Sequence, residues 1–159
     1  MNVRPLQQKD AEFLCSIFKD NEEYYEIFFD SANTLSEWND RVEHFLGQTV
    51  VNHFIIEIND KRVGWISFAD TEFAERELCI LVISKEHLRC GYGTQGLSWL
   101  INKSRADNMQ ALLLNVNQSN NRAIQFYRHF GFKVVGVEII PECNEAVNLA
   151  QYKMRLPLV

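Results

Sequence analysis

The stretch Leu88-Arg89-Cys90-Gly91-Tyr92-Gly93-Thr94, read with Asn120-x-x-Ala123-x-x-Phe126-Tyr127-x-x-x-Gly131-Phe132, decides the fold of this 159-residue chain. The first of these follows Leu78 to Ile83, a continuous apolar run rich in β-branched residues that predicts a central strand covered on both faces. Beyond the glycines, Leu97, Leu100 and Ile101 fall on one side of a helix reaching about Ala106. The glycine loop therefore joins a strand to a helix N-terminus, where unpaired backbone N–H groups and the positive end of the helix suit a pyrophosphate. Glycine lets that backbone approach its ligand closely. GxxxxGK[ST] is absent, which excludes a Walker loop. Taken alone, Gly-x-Gly serves equally well as a turn device.

The second stretch supplies what the first lacks. Ala111 to Val116 reads as another buried strand, and from Ser119 the pattern is helical, with Ala123, Phe126, Tyr127 and Phe130 on one stripe and Gly131 placed to end the helix. Asn120 through Phe132 resembles the second half of the acetyl-CoA-binding core of the GNAT acetyltransferases. Arg89 to Gly93 resembles the pyrophosphate loop of the same family, Q/R-x-x-G-x-G/A, with Leu88 standing where that pattern carries Gln or Arg. With the flanking strands the resemblance covers roughly residues 77 to 132. Val3-Arg4-Pro5-Leu6 and Tyr152-Lys153-Met154-Arg155 also look like the family's end strands.

Outside this core, Val3 to Leu6 reads as a short strand, and Asp10 as the cap of a helix carrying Leu14, Ile17 and Phe18. Thr34 and Glu37 form a capping box ahead of a helix that places Leu35, Trp38, Val42, Phe45 and Leu46 on one face. Phe54, Ile56 and Ile58 alternate as in a half-buried strand, and Asn59-Asp60 turns it into a hairpin with Val63 and Trp65. Two last strands are expected over Phe132 to Ile140 and Leu149 to Leu156. The expected fold is therefore α/β. The resemblance makes it a mixed, mostly antiparallel sheet with a splayed parallel strand pair, flanked by about four helices. No repeat or linker-like tract divides the chain, so residues 1–159 are expected to form a single domain.

A net charge of −5 provides no general attraction to nucleic acid or anionic lipid, and no apolar run approaches the length of a membrane span. Neither nucleic acid nor membrane is an expected partner. The polar start of the chain is unlike a signal peptide, so the cytoplasm is the expected compartment. Cys15, Cys79, Cys90 and Cys143 are scattered, and His44, His53, His87 and His129 form no ligand pattern, so no metal is expected. Oligomeric state, monomer or homodimer, is left open.

The resemblance implies a co-substrate, acetyl-CoA, with its pyrophosphate on the amides of Arg89, Cys90, Gly91, Tyr92, Gly93 and Thr94. It implies that main-chain groups of Leu81, Val82 and Ile83 bind the pantetheine arm in the gap of the splayed strands, and it adds Asn120 to the cofactor site. The reaction implied is direct attack of a primary amine on the thioester, in a small molecule or a protein, with Tyr127 protonating the departing thiolate. A phenol with a pKa of about 10 can share its proton with a thiol of about 8.5 at little cost. In the competing reading, Tyr127 only completes the apolar stripe of its helix. The amine must attack unprotonated, and Glu77 is the candidate base. In the competing reading, Glu75-Arg76-Glu77 is an exposed charged turn. Acceptor contacts are expected from Glu22, Glu23, Tyr24 and Tyr25, because carboxylates beside aromatic rings suit a cation. A solvated helix face would look the same. The alternative function is a non-catalytic acyl-CoA-binding or interaction module on the same fold.

Overall fold

The computed structural model describes residues 1–20, 34–141 and 148–159. Along the chain run β1 (Asn2–Pro5), α1 (Ala11–Asp20), α2 (Leu35–Gly47), β2 (Val51–Ile58), β3 (Lys61–Asp70), β4 (Glu75–Ile83), α3 (Tyr92–Ala106), β5 (Ala111–Asn117), α4 (Asn121–His129), β6 (Lys133–Pro141) and β7 (Asn148–Pro157). The strands form one seven-stranded sheet in the order β1-β2-β3-β4-β5-β7-β6. β4 and β5 are parallel, while β1–β2, β2–β3, β5–β7 and β6–β7 are antiparallel. This is the mixed, mostly antiparallel sheet with about four helices that the sequence predicts. The chain divides into two compact units, Met1–Ala69 with Ile80–Leu100, and Asp70–Cys79 with Ile101–Val159.

In the first unit, Leu14 and Phe18 of α1 and Trp38 and Val42 of α2 pack with Ile55 and Trp65 of the hairpin. Trp38 meets Trp65 edge to face at 6.3 Å between ring centroids. Thr34 caps α2 as expected: its hydroxyl accepts the Glu37 N–H at 3.2 Å, and the Glu37 carboxylate accepts the Thr34 N–H at 2.8 Å. The stripe of α2 is narrower than its spacing suggests, because Leu35 and Leu46 are exposed. The hairpin turns on Asn59 and Asp60, both at positive φ, which matches the right-handed twist of its strands. Ile55 and Ile56 are both fully buried, so β2 is covered on both faces and the simple alternation of Phe54, Ile56 and Ile58 does not describe it.

Asp10 does not cap α1 in the expected sense. Its buried carboxylate instead accepts the Gln7 N–H and two hydrogen bonds from Arg4, at 2.7 and 2.8 Å, while the Arg4 Nε donates to Glu57. Burial pushes the Asp10 carboxyl up, but the hydrogen bonds from Arg4 and Gln7 and the charges of Arg4 and Arg62 outweigh it and hold it below the usual carboxylate range. His53 stacks on Phe45 at 4.3 Å, and burial lowers its pKa to about 4. Gln48 accepts the Val50 and Val51 amides through its oxygen, so its Nε2 faces His53 Nε2 at 3.2 Å as the donor. The imidazole proton therefore sits on Nδ1, which is buried without a partner.

In the second unit, Ala111 to Leu114 are all buried, as expected of a strand covered on both faces. Arg76 is buried on β4 and makes a bidentate pair with Asp70 at 2.6 and 2.9 Å and an ion pair with Asp107 at 2.8 Å. Glu75 pairs with Arg155 at 3.0 Å. The run Glu75-Arg76-Glu77 is thus strand and not an exposed charged turn: β4 begins before Leu78, and pairing with β5 starts at Glu75.

Candidate active site

The first unit holds the end of β4 and the glycine loop. Leu81 and Val82 are half-buried and Ile83 is buried. Two glycines that motif reading passes over set their surroundings. A Cβ on Gly64 would meet the Val82 carbonyl oxygen at 2.7 Å, and one on Gly96 of α3 would meet Ile56 at 2.9 Å and Leu81 at 3.4 Å. Only side chains of hydrogen let β3 and α3 lie this close to β4. Past Ile83, the Ser84 hydroxyl sits 2.7 Å from His87 Nδ1 in a short turn.

Leu88 to Gly91 then form the loop, with Arg89 at φ 63° and Gly91 at φ 78°. A left-handed conformation at a non-glycine residue costs about 1–3 kcal/mol, so the surrounding chain imposes this shape. The first helical bond of α3 beyond the loop runs from Gln95 N–H to Gly91 C=O. The amides of Tyr92, Gly93 and Thr94 belong to the first turn, which has no intrahelical acceptors for them. A Cβ on Gly91 would meet no protein atom within 4 Å, so the backbone there faces open space. Open space against a helix N-terminus fits a pyrophosphate. Cys90 is exposed in the same loop.

The second unit holds Glu77, Asn120 and Tyr127. The ladder between β4 and β5 spans only Glu75 to Leu78 against Ala111 to Leu114, although β5 continues to Asn117 and β4 to Ile83. The hydrogen-bonded ladder of the parallel pair thus ends at Leu78 and Leu114. Glu77 is half-buried, and Asn115 of β5 donates from Nδ2 to Glu77 Oε1 at 3.5 Å and to Glu138 Oε2 at 3.4 Å. Lys153 approaches Glu138 at 3.8 Å. Asn115 Oδ1 is buried without a hydrogen-bond partner, a deficit of about 1–3 kcal/mol. Asn115 is the residue that sequence reading missed. The signal for it was a lone amide inside the apolar run Leu112-Leu113-Leu114-Asn115-Val116.

Asn120 caps α4, its side chain accepting the Ala123 N–H at 3.0 Å, which explains the Asn-x-x-Ala spacing physically. At the other end Gly131 takes φ 94°, with Phe132 N–H bonded to Tyr127 C=O and Gly131 N–H to Arg128 C=O. This is a Schellman motif, and it fixes the backbone of Tyr127 itself. The buried residue of α4 is Ile124, while Phe126, Tyr127 and Phe130 are half-buried. The Tyr127 ring stands edge-on to Phe126 at 5.3 Å and Phe132 at 5.7 Å. The four acceptor residues Glu22, Glu23, Tyr24 and Tyr25 lie outside the described residues, as does Cys143.

The short parallel ladder, the glycine loop opening α3 and the doubly anchored α4 occur together within one sequence span. The sequence model of the Acetyltransferase (GNAT) family matches residues 13–132. The chain belongs to that family. Among curated proteins none matches the chain in sequence. Solved structures share the fold of this GNAT acetyltransferase at low identity. A spermidine N-acetyltransferase from Vibrio cholerae, in complex with CoA and spermine, is 15% identical, with a TM-score of 0.82 over 99% of this chain and 95% of that one. An N-acetyltransferase from Staphylococcus aureus Mu50 is 19% identical, with a TM-score of 0.78 over 99% and 98%. The ribosomal-protein-S18-alanine N-acetyltransferase from Escherichia coli is 18% identical, with a TM-score of 0.75 over 99% and 93%. Among the described residues no group of His, Cys, Asp or Glu is placed to hold a metal ion, and no helix is long and apolar enough to cross a membrane.

Proposed function

We propose that this acetyltransferase moves the acetyl group of acetyl-CoA directly onto a primary amine of a small molecule or protein, with residues 1–159 serving as one catalytic domain in the cytoplasm. The observation that carries the reading is the doubly anchored α4, which holds Tyr127 by its backbone within the span matched by the family. In this reading the amides of Arg89, Cys90, Gly91, Tyr92, Gly93 and Thr94 receive the pyrophosphate of the co-substrate. The strained, outward-facing loop supports that role. Leu81, Val82 and Ile83 offer main-chain groups to the pantetheine arm, and the short β4–β5 ladder supports this. Asn120 contributes by capping the helix that carries Tyr127.

The chemistry needs three proton transfers. Glu77 takes a proton from the incoming ammonium, whose pKa is about 10.4, so that the nitrogen lone pair is free. A C–N bond then forms at the thioester carbonyl as the C–S bond breaks, the Tyr127 hydroxyl gives its proton to the sulfur, and the proton that the nitrogen sheds on becoming an amide restores the Tyr127 phenolate. Products are the amide and free CoA thiol. Carboxylates and rings at Glu22, Glu23, Tyr24 and Tyr25 favour a cationic acceptor.

The test is thiol release from acetyl-CoA against a panel of amines, including polyamines and peptides with free α-amines. Cationic amines should give turnover, and replacing Glu22 and Glu23 together with Gln should raise KM for the amine more than it lowers kcat. CoA binding without thiol release for any amine would instead mark a non-catalytic acyl-CoA-binding module.

A further inference from the structure

We propose that Asn115 is a positioning residue for acetyl transfer, its side-chain amide holding the Glu77 carboxylate where it can take the proton of the incoming ammonium. The inference rests on the function proposed above, in which Glu77 is the base. Asn115 stands on β5 beyond the last paired residue of the parallel ladder, Leu114, so its side chain emerges where β4 and β5 cease to pair. Its two amide hydrogens are divided between two carboxylates, Glu77 at 3.5 Å and Glu138 at 3.4 Å. One neutral donor between two anions keeps them apart and restricts the rotamers of both.

Local stability argues against an amide at this position. The Asn115 carbonyl oxygen is buried with no partner. A branched apolar residue would suit the strand and leave no orphaned acceptor. What Asn115 provides that valine cannot is the donor to Glu77. Glu138 already has a cation in Lys153, at 3.8 Å, whereas among the described residues no ion pair engages Glu77. Losing the amide would therefore leave the Glu77 carboxylate without the contact that orients it.

The decisive comparison is among Asn115→Val, Glu77→Gln and the double variant, measured by steady-state kinetics with the best amine of the panel and by thermal melting. Asn115→Val should lower kcat by about 10- to 100-fold, the usual effect of misplacing a reacting group. KM for acetyl-CoA should stay within about twofold, and the melting temperature should hold or rise because the orphaned carbonyl is gone. If Asn115 acts through Glu77, the double variant should be no slower than Glu77→Gln alone. Turnover of Asn115→Val within about threefold of the wild type would overturn the proposal. So would multiplying losses in the double variant, or lost activity that tracks a lowered melting temperature. Glu77→Gln with near wild-type turnover would overturn it too, while leaving acetyl transfer intact. A wild type that releases no thiol with any amine would remove the underlying function and the positioning role with it.

Discussion

Tyr127 joins two requirements in one side chain: its ring packs edge-on between Phe126 and Phe132, and its hydroxyl is the group proposed to protonate the thiolate. Tyr127→Phe separates them, because the ring and its contacts survive while the proton donor is lost. General acid catalysis contributes about 10²- to 10⁴-fold, so kcat should fall by that factor with the melting temperature nearly unchanged. Acetyl-CoA affinity should hardly move, since the loop proposed for the pyrophosphate does not involve this residue. If the Phe variant works at near wild-type rate with chemistry limiting, Tyr127 is a packing residue and water protonates the thiolate.

At the scale of elements, the glycine loop and α4 show opposite uses of the left-handed backbone. Gly131 adopts it to end a helix, with its own N–H satisfied by the Arg128 carbonyl and that of Phe132 by the Tyr127 carbonyl. Gly91 adopts it at the start of α3, facing open space. Gly91→Val therefore has two effects that can be told apart. The strained φ should lower stability modestly, because a β-branched residue rarely takes that conformation. The added side chain would occupy the space proposed for the pyrophosphate, so CoA affinity measured by calorimetry should drop by tenfold or more, as an order-of-magnitude expectation for lost anion contacts. Equal affinity in a folded variant removes the loop from the site.

At the scale of the whole molecule, three groups among the described residues tie stability to acid pH. His53 has a folded pKa of about 4 against an ordinary 6.5, so the unfolded chain binds its proton first as the pH falls. Its share of stability is present above about pH 6.5 and is lost on the way down to about pH 4. Asp10 and Asp107 are held below the ordinary carboxylate value of 3.8, and their contribution is lost only below that value. Melting temperatures should therefore decline in two stretches of the pH scale. His53→Phe keeps the stack on Phe45 and leaves Gln48 Nε2 its bond to the Val51 carbonyl. It should flatten the upper stretch while leaving the lower one unchanged. An unchanged slope between pH 6.5 and 4 would assign that loss of stability to other groups.

The sequence by itself determined the parts of this protein governed by contacts close along the chain. The capping box at Thr34, the turn at Asn59-Asp60, the cap at Asn120 and the stop at Gly131 depend on residues within a turn of one another, and their chemistry is visible in the string. The family pattern around Gly91 and Tyr127 is of the same kind. Tertiary structure alone decided which side chains meet across strands. Arg76 lies in a charged run that reads equally well as turn or strand, and its pairing with Asp70 and Asp107 is what offsets its burial. Asp10 stands where a helix cap is expected, yet Arg4 and Gln7 claim its carboxylate. Asn115 carries no motif at all. Its place between Glu77 and Glu138 arises from strand register, which brings together residues far apart in sequence and leaves no local signature.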